Sequence, residues 1–275
     1  MRLYRTTEGT IVEHQDKFYR HPLEWDQVIN RTFLHQKLAS EIEEGTLGVY
    51  AHRTLKPLAP IGRQELWAAG VTYIRSKVAR MEESEQSGAS RFYDLVYSAD
   101  RPELFMKCAG WRVRASGEGL RIRKDSIWNV PEPELTLFIT SQGTIEGYTI
   151  GNDMSSRSIE GENPLYLPQA KIFDGCASLG PCLLVLPAPI DSDVEISISL
   201  FRDGHEVFKG SAMISQMKRS LTELVEWLTR ELSFPDGVML MTGTCIVPGD
   251  DFTLRSGDKI SISITGIGIL ENYIE

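Results

Sequence analysis

Glu132 and Glu134 stand two residues apart in the segment "VPEPELTLFITSQGTIEGYTIGND". On a strand, residues at that spacing point to one face. Pro131 and Pro133 cannot donate ladder hydrogen bonds, which puts this strand end at an edge or rim. If Gln142 and Gly143 form a two-residue hairpin loop, Glu132 falls opposite Asp153 and Glu134 opposite Gly151. The other face then carries Leu135, Leu137, Ile139, Tyr148 and Ile150, a coherent apolar surface. A one-residue slip would set Thr149 and Gly147 against those leucines, so the apolar pattern selects this register. Opposed Cβ atoms lie ~4.5–5.5 Å apart. Three carboxylates that close either bind protons or recruit a cation. An all-oxygen, three-anion set suits a hard divalent ion, Mg²⁺ first, with Mn²⁺ or Ca²⁺ as alternatives. Gly151, opposite Glu134, is expected to leave room for ligand and water. The competing reading of the same residues is a solvated acidic rim without metal.

The elements around this hairpin are mostly short strands. "ELWAAGVTY" reads as one strand. "WRVRASGEGLRIRKDS" reads as a hairpin turning at Glu118-Gly119, and "EISISLFRDGHEVFKG" as another turning at Asp203-Gly204. "SQMKRSLTELVEWLTREL" reads as a helix whose stripe of Leu221, Leu224, Val225, Leu228 and Leu232 belongs to the core. "DKISISITGIGIL" closes the chain as strand, and its Gly266-x-Gly268 has no helix after it, so it is no dinucleotide fingerprint. Residues 1–58 read as a small α+β N-terminal domain. Its strands turn at Glu8-Gly9, a helix follows with Asp26 as N-cap and Gly45 past its end, and "TLKPLAPIG" links it to residues 59–275. The fold class is mixed and β-rich, without the βαβ alternation of a doubly wound sheet.

The chain has 275 residues, 41% of them apolar and 24% charged, with a formal net charge of −9. An acidic chain with scattered Lys and Arg is unsuited to nucleic acid or anionic membranes. No run reaches the roughly 18 apolar residues of a membrane span, and "MRLYRTTEGT" lacks an apolar core of signal-peptide type. The cysteines Cys108, Cys176, Cys182 and Cys245 form no C-x-x-C pair. They are expected as buried free thiols of a cytoplasmic protein.

"VPEPEL", "GYTIGNDMSSR", "AKIFDGCASLGP", "MTGT" and "SGDKISISITGIGILEN" occur in this order. Together they resemble the fumarylacetoacetate hydrolase family over about residues 62–275. The resemblance implies a β-roll catalytic domain and homodimers or homotetramers. It also implies a divalent metal held by Glu132, Glu134 and Asp153. Lys171 falls on the family's lysine near metal and substrate, and Thr244 on a substrate-contacting position.

"GVTYIRSKVARMEES" departs from the family's hydrolases, which resemble G-x-N-Y-x-x-H-x-x-E here. Ser76 stands at the histidine and Ala79 at the glutamate that together activate water. All five histidines, His14, His21, His35, His52 and His205, lie outside residues 53–204. Without that dyad, hydrolytic C–C cleavage lacks its base. The stretch, with "EGENPLYLPQAK", is similar to a branch of the family that dehydrates 2-keto-3-deoxy sugar acids. The implied reaction converts 2-dehydro-3-deoxy-D-arabinonate to 2,5-dioxopentanoate. A metal-chelated enolate forms and the C4 hydroxyl then leaves, as a hydro-lyase of sugar-acid breakdown does it. Lys171 is the base or the stabiliser of the enolate, with Glu132 or Glu134 as the other candidate base. Arg75, Ser76, Thr244 and Gln169 are expected substrate contacts. Arg157 contacts the substrate or holds the ligand loop, and Asp174 is expected to orient Lys171. The acidic run Glu82 to Glu85 reads equally as an exposed helix face. The alternative activity is C–C hydrolysis of a fumarylacetoacetate- or acylpyruvate-type substrate.

Overall fold

The computed structural model describes residues 1–51, 55–83 and 90–275. Among these, eleven strands form one sheet. Its order is Gly48–Val49, Lys17–Arg20, Gly9–His14, Arg2–Thr6, Ala177–Leu184, Ile145–Asp153, Pro133–Ile139, Val238–Met241, Glu65–Gly70 and Glu103–Ala109, with Val113–Arg114 beside Ala177–Leu184. A second, five-stranded sheet runs His205–Met213, Glu195–Arg202, Lys259–Ile264, Gly268–Ile274 and Gly119–Leu120. Residues 1–58 thus share the large sheet with residues 59–275, because Arg2 and Leu3 pair with Leu184 and Leu183.

The large sheet separates two cores, and the period-two alternation of Pro133–Ile139 decides which residue enters which. Leu135, Leu137, Ile139, Tyr148 and Ile150 face the first core. There they pack with Ile196, Ile198 and Leu200 of the small sheet and with Leu224, Val225 and Leu228. Phe138, Met239 and Met241 face the second core, with Val28, Leu34 and Leu38 of the N-terminal helices. Leu135, Leu137 and Ile139 are fully buried, so each contributes roughly 1.5–3 kcal/mol of transfer free energy.

The pairing Glu134↔Gly151, Leu137↔Tyr148 and Phe138↔Gly147 is the register expected from the apolar pattern. The loop that creates it differs. Gly143 N–H donates to Thr140 O, and Thr140 N–H to Thr144 O, so three residues turn rather than two. Gly143 takes a φ of +77°, the left-handed conformation such a loop needs. A bulge then sets Ile139 against Ile145 and returns the extra residue, which restores the register at the far end.

Other local expectations give way to long-range pairing. The segment around Glu118-Gly119 is no hairpin. Val113–Arg114 runs parallel to Ala177–Ser178, and Gly119–Leu120 parallel to Tyr273–Ile274. The hairpin at Asp203-Gly204 does form, with Arg202 opposite His205 and both loop residues at positive φ. The first helix divides into Trp25–Ile29 and Leu34–Glu43, and its N-cap is Glu24 rather than Asp26. The Asp26 carboxylate instead accepts from Gln64 Nε2 at 2.8 Å, across the linker. The late helix spans only Leu221–Thr229, capped by Ser220, which leaves Leu232 beyond its end and 45% exposed.

Candidate metal centre

Asp153 N–H donates to the carbonyl of Glu132 at 2.9 Å, so the ladder continues to the rim where the two prolines stand. One carboxylate oxygen from each of Glu132, Glu134 and Asp153 lies within 4.8 Å of the others. All three residues are buried. Glu134 accepts a 2.6 Å hydrogen bond from the N–H of Gly243. Gly243 has a φ of +98°, and a Cβ there would meet Thr72 Oγ1 at 2.0 Å, so only glycine brings this N–H in. Burial, then the charges of Asp153 and Glu132, push the Glu134 carboxyl well above its ordinary range.

Two lysines meet the triad. Lys171 Nζ lies 2.5 Å from Glu132 Oε2, 2.9 Å from Asp153 Oδ2, 2.6 Å from Ser155 Oγ and 3.5 Å from Glu160 Oε1. Lys107 Nζ lies 2.5 Å from Asp153 Oδ1 and donates to the carbonyls of Met154 and Lys171. Burial opposes ionisation of Asp153, but Lys107 and Lys171 outweigh it and hold its carboxyl below the ordinary value. Burial likewise lowers Lys107, and Asp153 more than reverses this, so Lys107 is raised. Arg157 Nη2 donates to Glu132 Oε1 at 2.6 Å, and its Nε lies 3.8 Å from Glu160 Oε2.

Among the described residues this cluster holds four buried carboxylates (Glu132, Glu134, Asp153, Glu160) against three buried cations (Lys107, Lys171, Arg157). The oxygen-only donor set and its spacing together fit a hard divalent cation.

A cavity over the triad is lined by Gly70, Ser76, Phe105, Arg157, Lys171 and Thr244, among others. Ser76, Thr244, Arg157 and Lys171 therefore line one cavity. Ser76 Oγ donates to Tyr73 O at 2.8 Å, and Thr244 Oγ1 to Pro133 O at 3.1 Å, so both hydroxyls are fixed by backbone. Arg75 and Gln169 are not brought to this cavity. Arg75 is exposed and lines a neighbouring one, and Gln169 is exposed on the helix Leu167–Lys171, its carbonyl held by Arg123. Asp174 does not orient Lys171. It pairs with Arg112 at 3.3 Å on the surface, and Ser155 and Glu160 hold Lys171 instead. Gly151 offers no space for ligand, because a Cβ there would meet Thr136 Oγ1 at 2.3 Å and Met241 Cε at 2.8 Å. The acidic run 82–85 and the side chains of Ala79 and Arg80 lie outside the described residues.

Lys107 and Glu160 went unnoticed in the sequence. The signal for Lys107 was a lysine inside the apolar strand "ELFMKCA", since buried lysine is rare unless paired. For Glu160 it was the i,i+3 spacing from Arg157 on a short helix.

Residues 132–275 match the family model described as fumarylacetoacetate (FAA) hydrolase C-terminal. The chain belongs to the fumarylacetoacetate hydrolase family. Within this family it is 47% identical over 217 residues to a probable 2-keto-3-deoxyxylonate dehydratase of Haloferax volcanii, covering 78% of this chain and 73% of the relative. It is 37% identical over 248 residues to the 2-dehydro-3-deoxy-D-arabinonate dehydratase of Saccharolobus solfataricus, covering 88% and 82%. A solved 2-keto-3-deoxy-D-arabinonate dehydratase complexed with magnesium and 2,5-dioxopentanoate superposes with a TM-score of 0.83. That match has 30% identity and covers 100% of this chain and 99% of the other. No helix among the described residues is long and apolar enough to cross a membrane.

Proposed function

We propose that the protein is a Mg²⁺-dependent hydro-lyase of a 2-keto-3-deoxy sugar acid, removing water from 2-dehydro-3-deoxy-D-arabinonate to give 2,5-dioxopentanoate. The observation that carries the reading is a buried three-carboxylate site whose cavity contains a lysine but, among the described residues, no histidine. The dehydratase relatives support the substrate class.

Glu132, Glu134 and Asp153 would hold the ion. When bound, it supplies a Lewis acid that polarises a 2-oxo carbonyl and so acidifies the neighbouring C3–H.

The chain's own residues do the rest. Lys171 passes an Nζ proton to Glu132, 2.5 Å away, then takes the C3 proton as the free amine and gives it to the departing C4 hydroxyl, which leaves as water. Arg157 fixes the other oxygen of Glu132, so that carboxylate presents a constant face. Ser76 and Thr244 offer hydroxyls to the sugar acid's own hydroxyls. C–C hydrolysis needs a water-activating dyad, and serine and alanine at positions 76 and 79 cannot supply a base. Four free cysteines accord with a reducing, cytoplasmic setting, and the family resemblance with a homodimer or homotetramer.

Incubation with Mg²⁺ and 2-dehydro-3-deoxy-D-arabinonate tests the reading, with 2,5-dioxopentanoate as the expected product. Pyruvate release from an acylpyruvate in place of this would favour the hydrolase.

A further inference from the structure

Beside the triad cavity lies a second one of about 280 Å³. The two share a wall. Tyr73 and Cys245 line the second cavity, while Ser76 and Thr244 line the first, and both the Tyr73 hydroxyl and the Cys245 thiol feel the Glu134 charge. Arg75, Lys209, Ser211 and Gln216, all exposed, also line the second cavity.

Two observations bear on what this cavity could bind. Neither Arg75 nor Lys209 has an ion-pair partner among the described residues, in a chain of net charge −9. The helix Ile74–Glu83 also begins here, so its free N–H groups add positive potential.

We propose that this cavity is a second binding site, for a small polyhydroxy carboxylate, outside the wall formed by Tyr73 and Cys245. Arg75 and Lys209 take the carboxylate. Ser211 and Gln216 take hydroxyls. The volume suits a five- or six-carbon acid. An anion approaching an acidic protein meets here a local positive patch one residue layer from the metal centre. That delivery role rests on the dehydratase reading, whereas the binding itself does not.

The test is calorimetric titration of the full chain with D-arabinonate after EDTA treatment, where no metal can hold the ligand at the triad. Saturable binding is expected in the wild type and in Glu132→Gln. At least a tenfold loss of affinity is expected in Arg75→Ala and in Lys209→Ala, with Mg²⁺ affinity retained in both. If Arg75→Ala fails to fold, Lys209→Glu carries the same expectation. Absence of saturable binding, equal affinity in the cation variants, or loss in Glu132→Gln alone would overturn the site. None of these outcomes depends on turnover, so dehydratase assays fail or succeed separately.

Discussion

Lys107 Nζ lies 2.5 Å from Asp153 Oδ1 and also donates to the carbonyl of Lys171, so one buried ammonium ties a carboxylate of the triad to the backbone of the lysine that faces it. Lys107→Met keeps the volume and removes the charge. It is expected to destabilise the metal-free protein by about 3–5 kcal/mol, because Asp153 loses a buried counter-ion. Urea denaturation reads this, and a loss below about 1 kcal/mol would mean that Lys107 does not hold Asp153.

Lys171→Met is expected to lower kcat by about 10²–10⁴, the usual range for a proton-transfer group. Mg²⁺ binding should persist, since the three carboxylates remain. Lys171→Arg should not rescue activity, because a guanidinium neither fits the space of an ammonium nor gives up a proton. Steady-state kinetics beside Mg²⁺ titration separates these effects, and full activity in either variant would remove Lys171 from the chemistry.

The triad was legible in the sequence because a strand of period two, buried on both faces, tolerates only one register. Leu135, Leu137 and Ile139 selected it without any knowledge of the loop. The loop itself was misread by one residue, and the bulge beside Ile139 absorbed the error. The segment around Gly119 was illegible for the opposite reason. Its partners, Tyr273 and Ile274, lie at the far end of the chain, and no local pattern announces a parallel pairing. Lys107 was hidden in the same way, since its meaning depends on Asp153 and Lys171 from other elements. Asp174 shows the converse error, where nearness to Lys171 in sequence suggested a contact that the fold gives to Glu160.

Gly151→Ala is expected to cost about 1–3 kcal/mol through overpacking against Thr136 Oγ1 and Met241. In a Thr136→Ala background the added cost should shrink, because the closest atom is gone. A double-mutant cycle by thermal or urea unfolding measures this. Equal costs in both backgrounds would show that Thr136 is not what fills the space.

Glu134 predicts an unusual pH dependence for the metal-free protein. Burial, with Asp153 and Glu132, raises its folded pKa above the unfolded value of 4.5. Between those two values the folded state binds the proton and the unfolded state does not. Stability from this group is therefore present below about pH 4.5 and lost as pH rises through the folded pKa. Asp153 is shifted the other way, so its contribution is lost only as pH falls below its unfolded value of 3.8. EDTA-treated wild type should thus lose Tm from about pH 5 upward, while Glu134→Gln should be flatter over the same window and Mg²⁺ should offset the loss in the wild type. A wild-type Tm that rises with pH in EDTA would contradict the assigned shift.

The most direct measurement follows both carbon skeletons by NMR during incubation with Mg²⁺, for wild type and Glu132→Gln. The dehydratase reading predicts 2,5-dioxopentanoate from 2-dehydro-3-deoxy-D-arabinonate with all five carbons retained. It also predicts loss of turnover in Glu132→Gln and no pyruvate from an acylpyruvate. Pyruvate release from the acylpyruvate, or undiminished turnover in Glu132→Gln, would contradict it.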